Sequence, residues 1–386
     1  MRLTCDSADL AAALSVVMRA AASRTSLTVL GMVLLETTDD GLRLTATNLE
    51  LAIRRTLPAT VDADGAVAVP GRLLADFTGA LPRQELRLEV EPPGSRLAVR
   101  SDSFATEIDG VPGEEFPPVT AGGEVDLLTL PAYGVVAAVT DTLVAASSDE
   151  ARPVLTGVRL EPAPGRLTLL ASDGHRLAVR RLDVEAPAAP AAPGITVPAR
   201  ALMEAARLFR ATDGDLRLAV SATGNQVLLR APGVELATRV IDGAYPDLYR
   251  LVPDRFETRV VVPAAELAAR LRALAPFAQT SANVAGMQVT PRSIVLTAAT
   301  ADVGSARTEL AAAVEGEETT VAFNARYLLE CPALSADEEV ELHLQGPLGA
   351  FVVRRAGRDD YVYLFMPVRY PVRHEARAGH PSASLP

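Results

Sequence analysis

Three stretches of the chain share one rhythm of apolar and polar positions. Leu42 to Ile53, Leu167 to Val179 and Ile294 to Val303 each alternate, break at a short polar turn and alternate again. A period of two residues interrupted by a turn predicts two antiparallel strands joined as a hairpin. A second triplet follows each hairpin: Val69-Pro70-Gly71-Arg72-Leu73-Leu74, Val197-Pro198-Ala199-Arg200-Ala201-Leu202 and Phe323-Asn324-Ala325-Arg326-Tyr327-Leu328, spaced 128 and 126 residues apart. In each, a strand end runs into a helix start, with Pro or Asn suited to the first turn or cap. Ala/Leu/Val-rich stretches with helical spacing precede the hairpins at 7–22, 131–146 and 263–275. The chain is therefore expected to repeat an α+β unit of about 125 residues three times. The phase sets boundaries near 120–123 and 253–255, giving domains 1–122, 123–254 and 255–370. The Ala/Pro run 186–193 falls between strands of the second unit, so it predicts an exposed loop rather than a linker.

Composition narrows the function. An apolar share of 49% with 22% charged residues excludes a mainly disordered chain. No apolar run is long enough to predict a membrane span. The opening Met1-Arg2-Leu3-Thr4-Cys5-Asp6 lacks a signal peptide's apolar stretch, so the cytoplasm is expected. Cys5 and Cys331 are too few for a disulfide framework or a zinc site. The net charge is -11, which argues against a nucleic-acid partner until its distribution is considered. All 37 basic residues are arginine, so any anion contact must be made by guanidinium groups. Six predicted helical segments (7–24, 70–83, 131–146, 198–210, 263–275 and 324–334) carry +4 together, leaving -15 on the remainder.

Four segments give the chain a family likeness: Ala171-Ser172-Asp173-Gly174-His175-Arg176-Leu177-Ala178-Val179; Asp242-Gly243-Ala244-Tyr245-Pro246-Asp247; Phe323 to Leu328; and Asp360-Tyr361-Val362-Tyr363-Leu364-Phe365-Met366-Pro367-Val368-Arg369. In this order, on a threefold repeat, the sequence resembles the bacterial beta sliding clamp, the processivity subunit of DNA polymerase III. The last segment looks most like clamps of high-GC Gram-positive bacteria.

The resemblance implies three tandem clamp domains per chain. Two chains would join head to tail as a ring dimer, with helices lining the hole and antiparallel sheets outside. The charge segregation suits it, because the positive segments fall where the family places double-stranded DNA. Phosphate contacts without base readout would then let the ring slide. Arg24 matches the family's DNA-contacting arginine after the first helix. Arg19, Arg72, Arg152, Arg200, Arg207, Arg210, Arg270, Arg272 and Arg326 are further candidates.

The family's partners are the polymerase III catalytic subunit, the clamp loader and other proteins with the clamp-binding motif, a glutamine followed by spaced leucine and phenylalanine. They dock in a groove whose matching positions are Leu155, Ser172, Gly174, His175, Arg176, Leu177, Pro246, Arg250, Asn324, Tyr327, Leu348, Met366, Pro367, Val368 and Arg369. Apolar side chains with a few polar anchors suit peptide capture, and a flexible methionine suits several ligands. Ser103, Phe104 and Ile108, with the strand edge 307–310 and the apolar pair Pro276 and Phe277, are the expected dimer interface. Asp173 and His175 near a serine are the residue types of a hydrolase dyad, but the chain has no Gly-x-Ser-x-Gly elbow and no Walker loop. A lone His in a turn is more often structural. No enzyme activity, cofactor or metal is expected.

Two departures keep an alternative open. Tyr370 replaces the family's terminal leucine, and a Pro/Gly/Ser/Arg tail, 371–386, follows and predicts disorder. The stretch Asp149-Glu150-Ala151-Arg152 is acidic where the family is often neutral. Both fit a clamp-fold paralogue acting as an accessory clamp, an inhibitor-resistant clamp or a decoy.

Overall fold

In a computed structural model the order strand, helix, strands, helix, strands occurs three times. The structure describes residues 1–22, 25–90, 95–119, 123–184, 193–300, 304–335 and 338–369. Arg24, residues 186–192 of the Ala/Pro loop and the tail 371–386 lie outside the described residues.

The six predicted helical segments each hold a helix: α1 (Ser7–Val17), α2 (Gly71–Gly79), α3 (Ala132–Leu143), α4 (Ala199–Leu208), α5 (Ala264–Gln279) and α6 (Ala325–Leu329). Pro70, Pro131, Pro198 and Pro263 occupy the N-cap positions of α2 to α5. Two other caps use side chains. Asp6 Oδ1 accepts from the backbone N–H groups of Ala8 and Asp9 at 2.9 and 3.2 Å, and Asn324 Oδ1 accepts from that of Arg326 at 3.0 Å. α1 buries Leu10, Ala13, Leu14 and Val17, one face at helical spacing.

Several ends differ from the sequence expectation. α1 stops at Val17, well before residue 24. There the backbone turns, and the Ala22 N–H bonds to Leu30 O at 2.9 Å. α6 is a short helix, because Pro332 begins a separate 3-10 turn, Pro332–Ser335. α5 continues past residue 275, through Pro276, to Gln279. Pro276 has no N–H to give the preceding turn, so α5 lacks one bond there and ends three residues later.

The described chain divides into two units, Met1–Ala171 with Arg181–Tyr245, and Ser172–Arg180 with Pro246 onward. The first holds an antiparallel five-stranded sheet in the order 60–63, 2–6, 85–89, 96–100, 105–109. It also holds a nine-stranded sheet, in which Leu51–Leu57 pairs antiparallel with Val234–Arg239 in the register Ala237 to Ala52 and Leu236 to Ile53. α1 and α2 lie side by side in this unit, as do α3 and α4. At Gly71 a Cβ would stand 2.3 Å from Met18 Sδ, so any larger residue there would require the Met18 side chain at the end of α1 to move aside.

In the second unit, residues 176–180 pair with Tyr361–Phe365, which is followed across the sheet by Phe351–Arg355, Glu339–Leu344, Thr258–Pro263 and Ala313–Gly316. A four-stranded sheet runs 304–311, 293–300, 284–289, 319–324. Its buried Phe323 stacks on Phe351, which stacks on Phe365, the latter two being on strands of the larger sheet. The strands 105–109 and 304–311 each stand at the edge of their own sheet.

Candidate functional site

The turn Ser172 to Arg176 closes on its own side chains. Ser172 Oγ accepts from the Gly174 N–H at 3.1 Å and donates to Arg176 O at 2.7 Å. Asp173 Oδ1 accepts from the N–H groups of His175 and Arg176 at 2.9 and 3.0 Å. Gly174 has φ +90°, which glycine adopts without strain. His175 is exposed at the tip and Leu177, 1% exposed, lies within the sheet opposite Leu364.

Arg176 ties this turn to the rest of the second unit. Its Nε donates to Asp173 Oδ2 at 3.0 Å, and one terminal nitrogen donates to Glu330 Oε2 at 2.5 Å and to the Tyr363 hydroxyl at 3.3 Å. The guanidinium carbon lies 4.8 Å from the centroid of the Tyr327 ring, a cation–π contact. The Tyr363 hydroxyl donates in turn to Tyr327 O at 3.0 Å. Burial opposes ionisation of Glu330, yet the hydrogen bonds from Arg176 and Arg326 outweigh it and hold its carboxyl below the usual range. Burial pushes the phenols of Tyr327 and Tyr363 upward, so both are neutral hydroxyls at neutral pH.

The segment after Phe365 is pinned by the Val368 N–H, which donates to Ala322 O at 2.7 Å. Met366 is 49% exposed there. Turn and α6 thus meet through Arg176, which bonds Glu330 and covers the Tyr327 ring, and residues 366–369 join the strand leading into α6 through Val368; Ser172, Gly174, His175, Leu177, Asn324, Met366, Pro367 and Arg369 lie on or next to these three segments. Pro246, Arg250 and Leu348 belong to the second unit and are exposed, and Arg250 bonds to Asp247. Leu155 belongs to the first unit and is buried in the 3-10 turn Pro153–Thr156.

The candidate phosphate contacts fall into two sets. Arg19 and Arg207 share Glu204, at 3.7 and 2.7 Å. Arg72 pairs with Asp76 at 3.9 Å, Arg152 with Asp149 at 3.6 Å and Arg326 with Glu330 at 2.6 Å. Arg200, Arg210, Arg270 and Arg272 are exposed and make no ion pair among the described residues. Exposed pairs of the first kind are weak and exchange readily for a phosphate oxygen.

Of the dimer candidates, Ser103 and Pro276 are exposed, Phe104 is 44% exposed, Phe277 is half-buried, and Ile108 is buried in its own sheet. Among the described residues no group of three His, Cys, Asp or Glu side chains is placed to hold a metal.

Sequence reasoning missed Asp173, Glu330 and Tyr363 as members of the site. Glu330 was visible as the i+4 partner of Arg326. Asp173 was visible as an Asx-turn residue two before His175.

Three copies of one α+β repeat, each with two helices and antiparallel sheets, define the architecture of a DNA clamp. The N-terminal, central and C-terminal domains of the DNA polymerase III beta subunit match residues 1–120, 129–247 and 249–369. A beta sliding clamp of Synechococcus elongatus is 32% identical, over 96% of this chain and 99% of its own. The sliding clamp of Bacillus subtilis, 24% identical, shares the fold with a TM-score of 0.90 over 96% of this chain and 99% of its own. That of Pseudomonas aeruginosa, solved bound to griselimycin, is 26% identical with a TM-score of 0.88, covering 96% and 100%. The chain belongs to the DNA polymerase III beta subunit family, and its function is that of a sliding clamp in DNA replication.

Proposed function

We propose that two copies of the chain close head to tail into a ring around duplex DNA and carry the replicative polymerase along it. The observation that carries this reading is the pair of edge strands, 105–109 and 304–311, each with its outer side unpaired in its own sheet. Such edges invite strand addition, and joining one to the other in a second copy removes both. Phe104, 44% exposed beside the first edge, supplies apolar area for that contact.

The ring holds DNA by topology. Arg200, Arg210, Arg270 and Arg272 meet phosphates directly, while Arg19, Arg24, Arg72, Arg152, Arg207 and Arg326 add further contacts, with no base readout. Weak, interchangeable contacts leave no deep well to escape at each step, so the ring slides. The clamp performs no chemistry of its own. The polymerase III catalytic subunit, the clamp loader and other proteins bearing the clamp-binding motif insert a short peptide beside Arg176, Tyr327 and Met366. The working place is the cytoplasm, and the ending Tyr361 to Arg369 supports the type found in high-GC Gram-positive bacteria. Light scattering at micromolar concentration tests the ring: the expected mass is twice the 40.6 kDa of one chain. A stable monomer throughout that range would overturn it.

A further inference from the structure

We propose that Glu330 couples the DNA-facing Arg326 to the peptide-docking turn, so that duplex in the ring tightens peptide capture. The inference rests on the ring and groove just described and adds a regulation to them. Its basis is one carboxylate shared by two arginines of different standing. Glu330 Oε1 accepts from Arg326 Nε at 2.6 Å, and Oε2 accepts from Arg176 at 2.5 Å.

The two arginines differ in freedom. Arg326, in the first turn of α6, has a side chain 67% exposed whose one ion pair among the described residues is with Glu330. Arg176 is 12% exposed and is also held by Asp173, by the Tyr363 hydroxyl and by the face of the Tyr327 ring. A phosphate near α6 therefore draws Arg326 away and leaves Arg176 in place. A phosphate accepts two parallel bonds from a guanidinium and competes well with an exposed ion pair.

Once Arg326 has turned to DNA, Glu330 faces one cation instead of two. Its Oε1 becomes available to Arg176, and the strap between the turn and α6 tightens. A turn already ordered before the peptide arrives loses less freedom on binding, so affinity rises. Because binding linkage is reciprocal, bound peptide must strengthen the hold on DNA by the same factor. The factor is limited by the worth of one exposed ion pair, so it is about two- to fivefold.

The test uses the full chain and a fluorescent peptide carrying a glutamine followed by spaced leucine and phenylalanine. Its affinity is measured with and without a saturating short linear duplex at low ionic strength. The wild-type chain is expected to bind the peptide about two- to fivefold tighter with duplex present. Arg326→Ala should bind it without duplex as tightly as wild type does with duplex, and should not respond to duplex. Glu330→Gln should bind both ligands with a factor of one. Two ligands that bind wild type independently would overturn the coupling and leave the ring and groove standing, as would coupling that survives in Glu330→Gln. Failure of either ligand to bind wild type at all would overturn the functional reading, and the coupling with it.

Discussion

Replacing Arg176 by Met keeps the length of the stem over Tyr327 and removes every donor. Arg176 makes two charge-assisted bonds, to Asp173 at 3.0 Å and Glu330 at 2.5 Å, and a longer one to the Tyr363 hydroxyl at 3.3 Å. Each charge-assisted bond is worth about 1.5–3 kcal/mol. Part of the sum is returned, because a partly buried cation no longer has to be desolvated. Glu330 also keeps Arg326, and Asp173 can turn toward water. A net local loss of about 2 kcal/mol results. The assay is amide hydrogen exchange at Gly174, His175 and Arg176, whose N–H groups bond to the Ser172 and Asp173 side chains. A 2 kcal/mol loss should speed their exchange roughly 30-fold. Amides of the strand Phe351–Arg355 and of the hairpin 41–57 should be unaffected. Unchanged protection in the turn, or loss spread evenly over the chain, would refute the view that Arg176 holds this turn locally.

Met366→Ala should weaken clamp-binding peptide by about 1 kcal/mol, roughly fivefold by fluorescence titration, since the side chain is already about half covered in the free chain. Leu177→Ala should instead lower stability by about 2–5 kcal/mol in urea unfolding, because Leu177 is covered before any ligand arrives. Leu49 holds φ +76° at the tip of the first hairpin, where the second hairpin has Gly174, so Leu49→Gly should raise the unfolding midpoint by about 1 kcal/mol of stability. The Arg259 hydrogen bond holds the Glu341 carboxyl down at about 2 against an ordinary 4.5. A depressed carboxylate stabilises the fold above its unfolded value, so this contribution should be complete above pH 4.5 and vanish toward pH 2. Glu341→Gln should lose stability at neutral pH and show a shallower acid decline than wild type in urea titrations.

Much of the architecture was legible because it is periodic. The hairpin rhythm, the Pro and Asn helix starts and the spacing near 127 residues each report local geometry that repeats. Helix ends were less legible: α1 stops at Val17 although Ala20, Ala21 and Ala22 favour helix, because a backbone bond from Ala22 to Leu30 competes. The helical stretch expected at 263–275 runs on to Gln279 through Pro276, which costs the helix one backbone bond without ending it at once. Within the site, motif residues such as Ser172, Gly174 and Arg176 stood out, whereas Tyr363 reads as one more strand residue. Its role depends on strand register, which places Arg176 opposite Phe365 and so brings Tyr363 close. Pairing partners 187 residues apart carry no local signal.

The most direct test of the central account is retention on circular DNA. The chain is loaded onto nicked circles by a bacterial clamp loader, and the circles are isolated by gel filtration at a salt concentration that abolishes binding to short linear duplex. Topological linkage predicts that the clamp stays with the circles and is released when a restriction enzyme linearises them. A chain that leaves intact circles at that salt, or stays equally well on linear DNA, would contradict the account.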